Sequence, residues 1–211
     1  MPAIPELEEI RRAQILEAAL RTISARGCAD VTMEDIAQAA GLSKGGLAHY
    51  FKSKNDLFQA TFKEFFDRVF LRVKDELTAR PGGPMEKLLG FEMLFNRDDP
   101  DVALGYPLLF DCMSLAARDD TYRALFDEWV NNWITVLKGI IEDGIAQGVF
   151  QGLEPEATAR AVSAIYQGIA TRWCLAPGAH SREWALESVR RSVTGLLAPH
   201  RVEEKPQEVP K

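Results

Sequence analysis

The chain has 211 residues and a formal net charge of −6, so it is long enough to bury a sizeable core as one domain or two. The acidic balance excludes a protein that coats nucleic acid without sequence preference. It does not exclude a protein that binds a specific nucleic-acid sequence, because such binding depends on the charge near the binding surface and not on the net charge. Three widely spaced cysteines, no signal peptide and no apolar run that could span a bilayer predict a reducing, cytoplasmic location and no membrane partner.

A first helix is predicted over residues 7–26, followed by two short helices joined by a tight turn. Thr32 and Asp35 have the spacing of a capping box, and Gly41 stands where a left-handed residue must end the first short helix. Ser43 is a suitable N-cap for the second short helix. This is the pattern of a DNA-binding helix-turn-helix, whose second helix enters the major groove of DNA.

The outward positions of this motif carry positive charge and little bulk. Between Gly41 and Asn55 the chain has three lysines, one histidine and no acidic residue. Gly45 and Gly46 each disfavour a helix by about 1 kcal/mol relative to alanine, but they permit close approach of the helix to DNA. A helical hairpin with a solvated basic face is the alternative; spacing, capping and charge together favour DNA binding. The candidate DNA contacts are Thr32, Ser43, Lys44, Gly45, Gly46, His49, Tyr50 and Lys54, with Thr32, Tyr50 and Lys54 assigned to phosphates.

The segment RRAQILEAALRTISARGCADVTMEDIAQAAGLSKGGLAHYFKSKNDLFQATF resembles the N-terminal domain of the TetR family of transcriptional regulators. The last third of the chain resembles the C-terminal domain of the choline-responsive, BetI-like branch. The resemblance implies a homodimer that binds a palindromic operator and releases it when a small molecule enters the C-terminal domain. The family often has threonine where Gly46 stands and tyrosine where Ala48 stands, so different contacts are expected from a recognition helix placed in the same way.

A long fourth helix is predicted from Ser53 to Thr78, and a Pro/Gly-rich break follows it. Further helices are predicted near 84–97, 101–117, 121–147, 155–175 and 181–198. The predicted fold is all-α, with an N-terminal three-helix helix-turn-helix domain and a larger C-terminal helical effector and dimerisation domain. The predicted domains are 7–52 for DNA binding, 53–78 for a linking helix shared by both, 79–198 for ligand binding and dimerisation, and 199–211 for a disordered tail.

The second predicted domain is rich in aromatic residues, which form plain core more often than a ligand pocket. Asp111 lies in the apolar run from Leu108 to Met113, where a buried carboxylate needs a partner. An arginine such as Arg172 or a backbone amide is favoured as that partner over a cationic effector. The candidate effector-binding residues are Phe70, Phe91, Phe95, Phe110, Asp111, Met113, Trp129, Trp133, Tyr166 and Trp173.

The last two predicted helices each have an apolar face, and small residues recur along the first of them at positions 157, 161, 164 and 168. Such a stripe permits close helix contact within one subunit or across a two-fold axis. The family resemblance favours a four-helix interface across a homodimer. The candidate interface residues are Ala161, Ala164, Gly168, Val189, Val193 and Leu196.

No pattern of catalytic or metal-binding residues is found. The three histidines lack Cys, Asp or Glu partners at ligand spacing, and the glycines near residue 45 lack both the preceding strand and the spacing of a phosphate-binding loop. The sequence therefore predicts no enzyme, no metal and no cofactor. It favours a ligand-responsive, homodimeric repressor whose partners are double-stranded operator DNA and a small-molecule effector. A helical protein-interaction module and a small-molecule carrier or enzyme are the alternatives.

Overall fold

The computed structural model describes residues 5–202, and the elements within that range are helical. In chain order they are α1 (Pro5–Arg26), α2 (Met33–Ala39), α3 (Lys44–Tyr50), α4 (Lys54–Ala79), α5 (Pro84–Leu88), α6 (Pro100–Ala116), α7 (Asp120–Ala146), α8 (Pro155–Leu175) and α9 (Arg182–Leu197), with short 3₁₀ helices at Glu92–Phe95 and Ala198–His200. The predicted all-α fold is confirmed. None of the helices in this range is long and apolar enough to cross a membrane.

The chain divides into two compact units. The first contains the chain through Arg72 together with Arg97–Trp129, and the second contains Val73–Asn96 together with the chain from Val130 onward. Helix α6 and the start of α7, which the sequence analysis assigns to the second domain, therefore cluster with the helix-turn-helix. The functional division at residue 79 stays a prediction, because compactness by itself assigns no role to either unit.

Apolar side chains of α1, α2, α3, α4 and α6 pack into one core in the first unit. Helices α4 and α6 approach each other so closely that a Cβ added to Gly105 would lie 2.8 Å from Cζ of Phe65, so any larger residue there would force that ring to shift. The Ser24 hydroxyl of α1 donates to the Leu104 carbonyl oxygen at 3.0 Å. The fully buried side chains of this core include Ile15, Ile23, Ile36, Leu47, Leu57, Phe62 and Leu108.

Asp111 on α6 holds the turn that follows α1. Its Oδ2 accepts the backbone N–H of Cys28 at 2.8 Å, and Gly27, with a φ of +82°, provides the left-handed residue in that turn. Of the partners considered for Asp111, the backbone amide is the one observed. Burial and then the Asp111 carboxylate raise the pKa of the Cys28 thiol, and the same causes raise the pKa of Cys112 to about 12. Both cysteines therefore remain neutral thiols near pH 7.

Charged side chains connect α4 to the beginning of α6. Arg72 Nη1 lies 2.7 Å from Asp99 Oδ2, and Arg68 Nη2 lies 3.2 Å from Asp101 Oδ1. Burial raises the pKa of the Asp99 carboxyl, but the hydrogen bonds from Arg72 and from the backbone of Asp101 and Val102 outweigh burial and hold that pKa below its ordinary value. Asp99 is therefore ionised near pH 7 and joins the N-terminus of α6 to α4.

A group of aromatic side chains forms much of the core of the second unit. Its members are Phe91, Phe95, Trp133, Tyr166 and Trp173, with neighbouring ring centroids 5.0 to 6.5 Å apart. Each of the five is at most 9% exposed. The Tyr166 hydroxyl donates to the Leu88 carbonyl oxygen at 2.9 Å, so its polar atom is satisfied inside the core.

The single helix predicted over 84–97 is interrupted. Helix α5 ends at Leu88, and the chain resumes as a 3₁₀ helix at Glu92. Between them lies buried Gly90, where an added Cβ would lie 3.1 Å from Leu77 Cδ2 and would crowd that side chain. Leu88 and Phe91 on either side of the break are both buried. The apolar pattern therefore continues across the break, and helical periodicity alone does not predict it.

The tail predicted over 199–211 is ordered in the part that the structure describes. Arg201 forms an isolated antiparallel bridge with Phe150. On either side of that bridge, Gln151 N–H donates to the His200 carbonyl oxygen at 2.8 Å and Val202 N–H to the Val149 carbonyl oxygen at 3.1 Å. The prediction of disorder is therefore wrong for 199–202, and the rest of the predicted tail, 203–211, lies outside the described residues.

Replacing Asp111 with alanine is expected to destabilise the fold by about 1–3 kcal/mol, because the Cys28 N–H loses its acceptor inside the protein. Asparagine keeps an oxygen that can accept the same bond, so Asp111→Asn is expected to cost less than Asp111→Ala. Urea unfolding followed by circular dichroism measures both changes. Equal losses in the two variants, or no loss in either, would contradict the role given to this hydrogen bond.

Candidate nucleic-acid interface

Backbone hydrogen bonds set the turn between α2 and α3. Gly41 N–H donates to the Gln38 carbonyl oxygen at 3.0 Å, and Leu42 N–H donates to the Ala37 carbonyl oxygen at 2.8 Å. Gly41 has a φ of +65°, the left-handed conformation that lets the chain leave α2 without a Cβ clash. The position that the sequence analysis assigns to Gly41 is the one observed.

Capping and burial hold α3 in place. The Ser43 Oγ accepts the Gly46 N–H at 3.1 Å, as the sequence predicts for its N-cap. This bond uses a lone pair of the hydroxyl and leaves its proton available to a phosphate oxygen. On the inward side Leu47 is 0% and Phe51 is 2% exposed. The guanidinium carbon of Arg12 lies 5.2 Å from the centroid of the Phe51 ring and covers it.

The outward side of α3 is formed by small and basic residues. Lys44, Gly45, Ala48 and His49 are exposed, whereas Gly46 and Tyr50 are half-buried. A Cβ added to Gly46 would lie 3.4 Å from the Ser43 Oγ and 3.5 Å from Leu42 Cδ2. Gly46 therefore lies against the turn, away from the outermost face where the sequence analysis places it.

Thr32 is fully engaged in the capping box of α2. Its hydroxyl donates to Asp35 Oδ2 at 2.6 Å and accepts the Asp35 N–H at 3.2 Å, and its backbone N–H donates to the same carboxylate at 2.8 Å. A hydroxyl has one proton, so Thr32 has none left for a phosphate, and the phosphate contact predicted for it is not supported. The Thr32 hydroxyl and then Arg26 hold the pKa of the Asp35 carboxyl well below its usual value.

Two basic side chains, Lys44 and His49, lie on the exposed side of α3, and a third, Lys54, begins α4. Lys44 Nζ lies 3.9 Å from Glu34 Oε2, and since both side chains are more than two-thirds exposed, this ion pair holds the lysine only weakly. Lys54 Nζ lies 5.0 Å from the centroid of the Phe58 ring, which positions its charge at the first residue of α4. The His49 and Tyr50 ring centroids are 5.2 Å apart, edge to face. Lys44 is thus free to exchange Glu34 for a phosphate or a base.

Sequence reasoning alone leaves three exposed residues of this surface out of the candidate set: Glu34, Ala48 and Lys52. Helical spacing alone is enough to include Ala48 in this surface, because Ala48 lies one turn after Lys44 on the same side of α3. The proximity of Glu34 to Lys44 depends on how α2 crosses α3, which spacing does not give.

The candidate effector-binding residues do not belong to one compact unit. Phe70, Phe110, Asp111, Met113 and Trp129 lie in the first unit, and Phe91, Phe95, Trp133, Tyr166 and Trp173 lie in the second. The Asp111 carboxylate is bound to the Cys28 amide. In the part of the chain that the structure describes, no group of three or more His, Cys, Asp or Glu side chains is placed to hold a metal ion.

The candidate dimer residues differ in their exposure. Val189 and Val193 are 4% and 0% exposed, so they belong to the core of the chain itself and are not available to a partner. Ala164 and Gly168 are exposed on α8, and Ala161 is half-buried beside them. Leu196 on α9 is 36% exposed and Leu175 at the end of α8 is 64% exposed. The exposed face of α8 and α9 therefore combines small residues with two large apolar ones.

Two family models match the chain. The model of bacterial regulatory proteins of the tetR family matches residues 15–61, which extend from α1 into α4. The model of the C-terminal part of BetI-type transcriptional repressors matches residues 92–198. The first match contains the turn, α3 and the basic residues described above.

Similarity to individual proteins agrees with the two family matches. The HTH-type transcriptional regulator BetI of Escherichia coli is 35% identical over 97 residues, which are 46% of this chain and 50% of that protein, so the match spans about half the length of this curated relative. A transcriptional regulator from Saccharomonospora viridis, solved in complex with choline, superposes with a TM-score of 0.75 at 22% identity over 92% of this chain and 98% of the other. FadR from Bacillus subtilis, solved in complex with stearoyl-CoA, has a TM-score of 0.69 at 22% identity, with 87% and 98% of the chains covered. At that identity the two structures show the shared fold alone.

Proposed function

The chain belongs to the TetR family of bacterial transcriptional regulators, and we propose that it binds a palindromic DNA operator as a homodimer, represses transcription there, and is released by a small-molecule effector. The observation that carries this proposal is the exposed side of α3, which is cationic, free of acidic residues and held rigid from beneath. Such a helix suits the major groove, where base edges are read.

DNA binding by this surface divides into two kinds of contact. Lys54 and the Ser43 hydroxyl are placed at helix N-termini, where positive charge and donor groups suit phosphate oxygens. Lys44 and His49 extend from α3 itself and reach base edges or the nearest phosphates. The negative charge of Glu34 lies close to this surface and opposes DNA, which limits binding to unrelated sequences.

A homodimer follows from the small size of the reading surface. Helix α3 has only seven residues, so one copy of it contacts few bases. A two-fold symmetric dimer doubles these contacts and binds DNA that contains two half-sites. We place the interface on the exposed side of α8 and α9. Ala164 and Gly168 permit close helix approach there, and Leu175 and Leu196 add apolar area that a partner would bury.

The effector is proposed to be a quaternary ammonium compound of the choline type, bound among the aromatic residues of the second unit. Aromatic faces attract such cations without a carboxylate. Phe91, Tyr166 and Trp173 belong to a group of rings that pack against one another in the core, so the ligand would bind by opening contacts between these rings. The BetI-type match and the choline complex of a similar fold support this class. Asp111 is left out of this site, because its carboxylate is already bound to the Cys28 amide. The stearoyl-CoA complex of FadR makes an acyl compound the competing class.

Regulators of this family are generally not enzymes, and we propose no catalytic role for the chain. A protein-interaction module without DNA affinity is the competing function. Selection of duplexes from a random DNA library by the full chain, followed by band-shift measurements, separates the two. Recovery of one palindromic sequence supports the proposal, and recovery of none contradicts it.

Replacing Lys44 with alanine is expected to flatten the dependence of log K on log salt by about two, because each phosphate contact contributes about −0.9 to the slope and a dimer presents Lys44 twice. Band shifts of the selected duplex between low and high salt measure this slope. The matched control, Lys74→Ala, removes the same charge from an exposed position in the second unit and should leave the slope unchanged. An unchanged slope in Lys44→Ala, with weaker binding only to the selected sequence, would move Lys44 from phosphate to base contact.

Replacing Gly168 with tryptophan is expected to weaken the dimer by about 1–3 kcal/mol through overpacking at the interface. A Cβ at Gly168 meets no atom of another element within 4 Å among the described residues, so a side chain at this position starts in open space. Gly139 on α7 has equally open surroundings and makes Gly139→Trp a matched control. Sedimentation velocity reports the dissociation constant of each variant. A dimer of normal strength in Gly168→Trp would place the interface elsewhere.

Choline is expected to release the selected duplex, and Phe91→Leu to weaken this response by about 2 kcal/mol, the upper range for a desolvated cation–π contact. Phe126→Leu, which changes a half-buried ring of the first unit, is the control and should respond as the wild type does. Choline should also release the selected duplex from Asp111→Asn as it does from the wild type. Release by stearoyl-CoA and not by choline would contradict the cationic effector.

A further inference from the structure

The centre of the exposed side of α3 carries almost no side-chain atoms. Residues of an α-helix follow one another at about 100° around the axis. Gly46, Leu47 and Tyr50 define the inward side by their burial. Gly45 and Ala48 then lie within about 30° of the direction opposite to it. The part of α3 that faces most directly outward is therefore a bare backbone followed by a single methyl group.

The basic side chains lie on the two flanks of that centre. Lys44 and His49 are each displaced by about 70° from the outward direction, on opposite sides of it. Both are exposed, and Lys44 forms a long ion pair of 3.9 Å with Glu34. Their charged and polar atoms are thus directed toward the walls of a groove that α3 enters, while Gly45 and Ala48 are directed toward its floor.

An absence of bulk at the centre permits α3 to approach DNA closely. Among the described residues, a Cβ placed on Gly45 meets no atom of another element within 4 Å, so packing there does not require glycine at this position. Glycine also disfavours the helix, and it has no compensating packing role at position 45. Close approach to a partner outside the chain is the role that remains for it.

We propose that the Ala48 methyl group reads the C5-methyl group of a thymine, at one base pair in each half-site of the operator. The proposal rests on the proposed DNA-binding function and names what the centre of its reading surface recognises. In the major groove the C5-methyl group of thymine is the apolar feature among the base edges, and alanine is one of the side chains that contact it. A methyl group can neither donate nor accept a hydrogen bond, so Ala48 gains most from that base.

Gly45 acts here as a positioning residue. It has no side chain to hold the helix axis away from the base edges, so the short Ala48 side chain can reach the floor of the groove. Lys44 and His49 contact phosphates or purine acceptors on the flanks and set the register of the helix. Specificity at the central base pair then comes from methyl–methyl contact, while affinity comes largely from the charged flanks.

Deoxyuridine in place of deoxythymidine tests the proposal, since it removes only the C5-methyl group and leaves the protein unchanged. The duplex is the palindrome that the full chain selects from a random library, and each thymine is replaced in turn. One thymine per half-site is expected to be sensitive, with about fourfold weaker binding for one half-site and about fifteenfold for both, the effect of losing one buried methyl-sized contact. Replacement of the other thymines serves as the control.

Variants at position 48 assign the contact to Ala48. In Ala48→Gly the sensitive thymine should lose its sensitivity, so that the thymidine and uridine duplexes bind equally well. The ratio is measured within one variant, and a general loss of helix stability therefore cancels. Ala48→Ser keeps a side chain and the fold and should reduce the ratio as well, because the hydroxyl replaces part of the apolar contact.

Three results would overturn the proposal. Equal binding of all uridine-substituted duplexes by the wild type would remove thymine methyl groups from the readout. Sensitivity that persists in both Ala48→Gly and Ala48→Ser would assign the methyl contact to another residue. Failure of the full chain to select any sequence would overturn the proposed DNA binding itself, and that outcome is distinct from selection of a palindrome without a sensitive thymine.

Discussion

A helix of seven residues is not stable by itself in water, because its few hydrogen bonds do not offset the entropy of ordering the chain. The conformation of α3 therefore depends on the packing of Leu47 and Phe51 beneath it. The Ser43 side chain accepts a hydrogen bond from one of the first backbone N–H groups of α3. Gly41, in the left-handed conformation, turns the chain from α2 toward α3. The orientation of the outward side of α3 therefore depends on these inward contacts.

Two carboxylates of the first unit hold backbone segments next to this core. Asp35 binds both the N–H and the hydroxyl of Thr32 and so fixes the beginning of α2. Asp111 binds the N–H of Cys28 and fixes the turn after α1. Asp35 takes up the hydroxyl proton and the backbone N–H of Thr32, which leaves Thr32 no donor for the phosphate contact predicted for it. The bond from the Cys28 N–H gives Asp111 the backbone-amide partner that the sequence analysis favours over a cationic ligand. Helix α6, which carries Asp111, belongs to the same compact unit as the helix-turn-helix.

Local patterns were sufficient to identify the helix-turn-helix, because its stability signals lie within a few residues of one another. The capping box at Thr32, the glycine at position 41 and the cap at Ser43 are all present as predicted. Helical periodicity also located α6, α7, α8 and α9 to within a few residues. These features follow from backbone sterics and from side-chain hydrogen bonds over three or four positions, so no knowledge of distant contacts is needed.

The sequence by itself thus determined an all-α chain with a DNA-reading motif and a basic, acid-free recognition helix. Only the tertiary structure decided which polar groups are already satisfied and which apolar faces are already covered. Val193 has the helical spacing expected of an interface residue, yet it is buried in the chain's own core. The helix predicted over 84–97 is interrupted at Gly90, which is a second case. The physical reason is that burial and hydrogen-bond partners depend on residues far apart in the chain. Asp111 and Cys28, separated by 83 positions, are the clearest case.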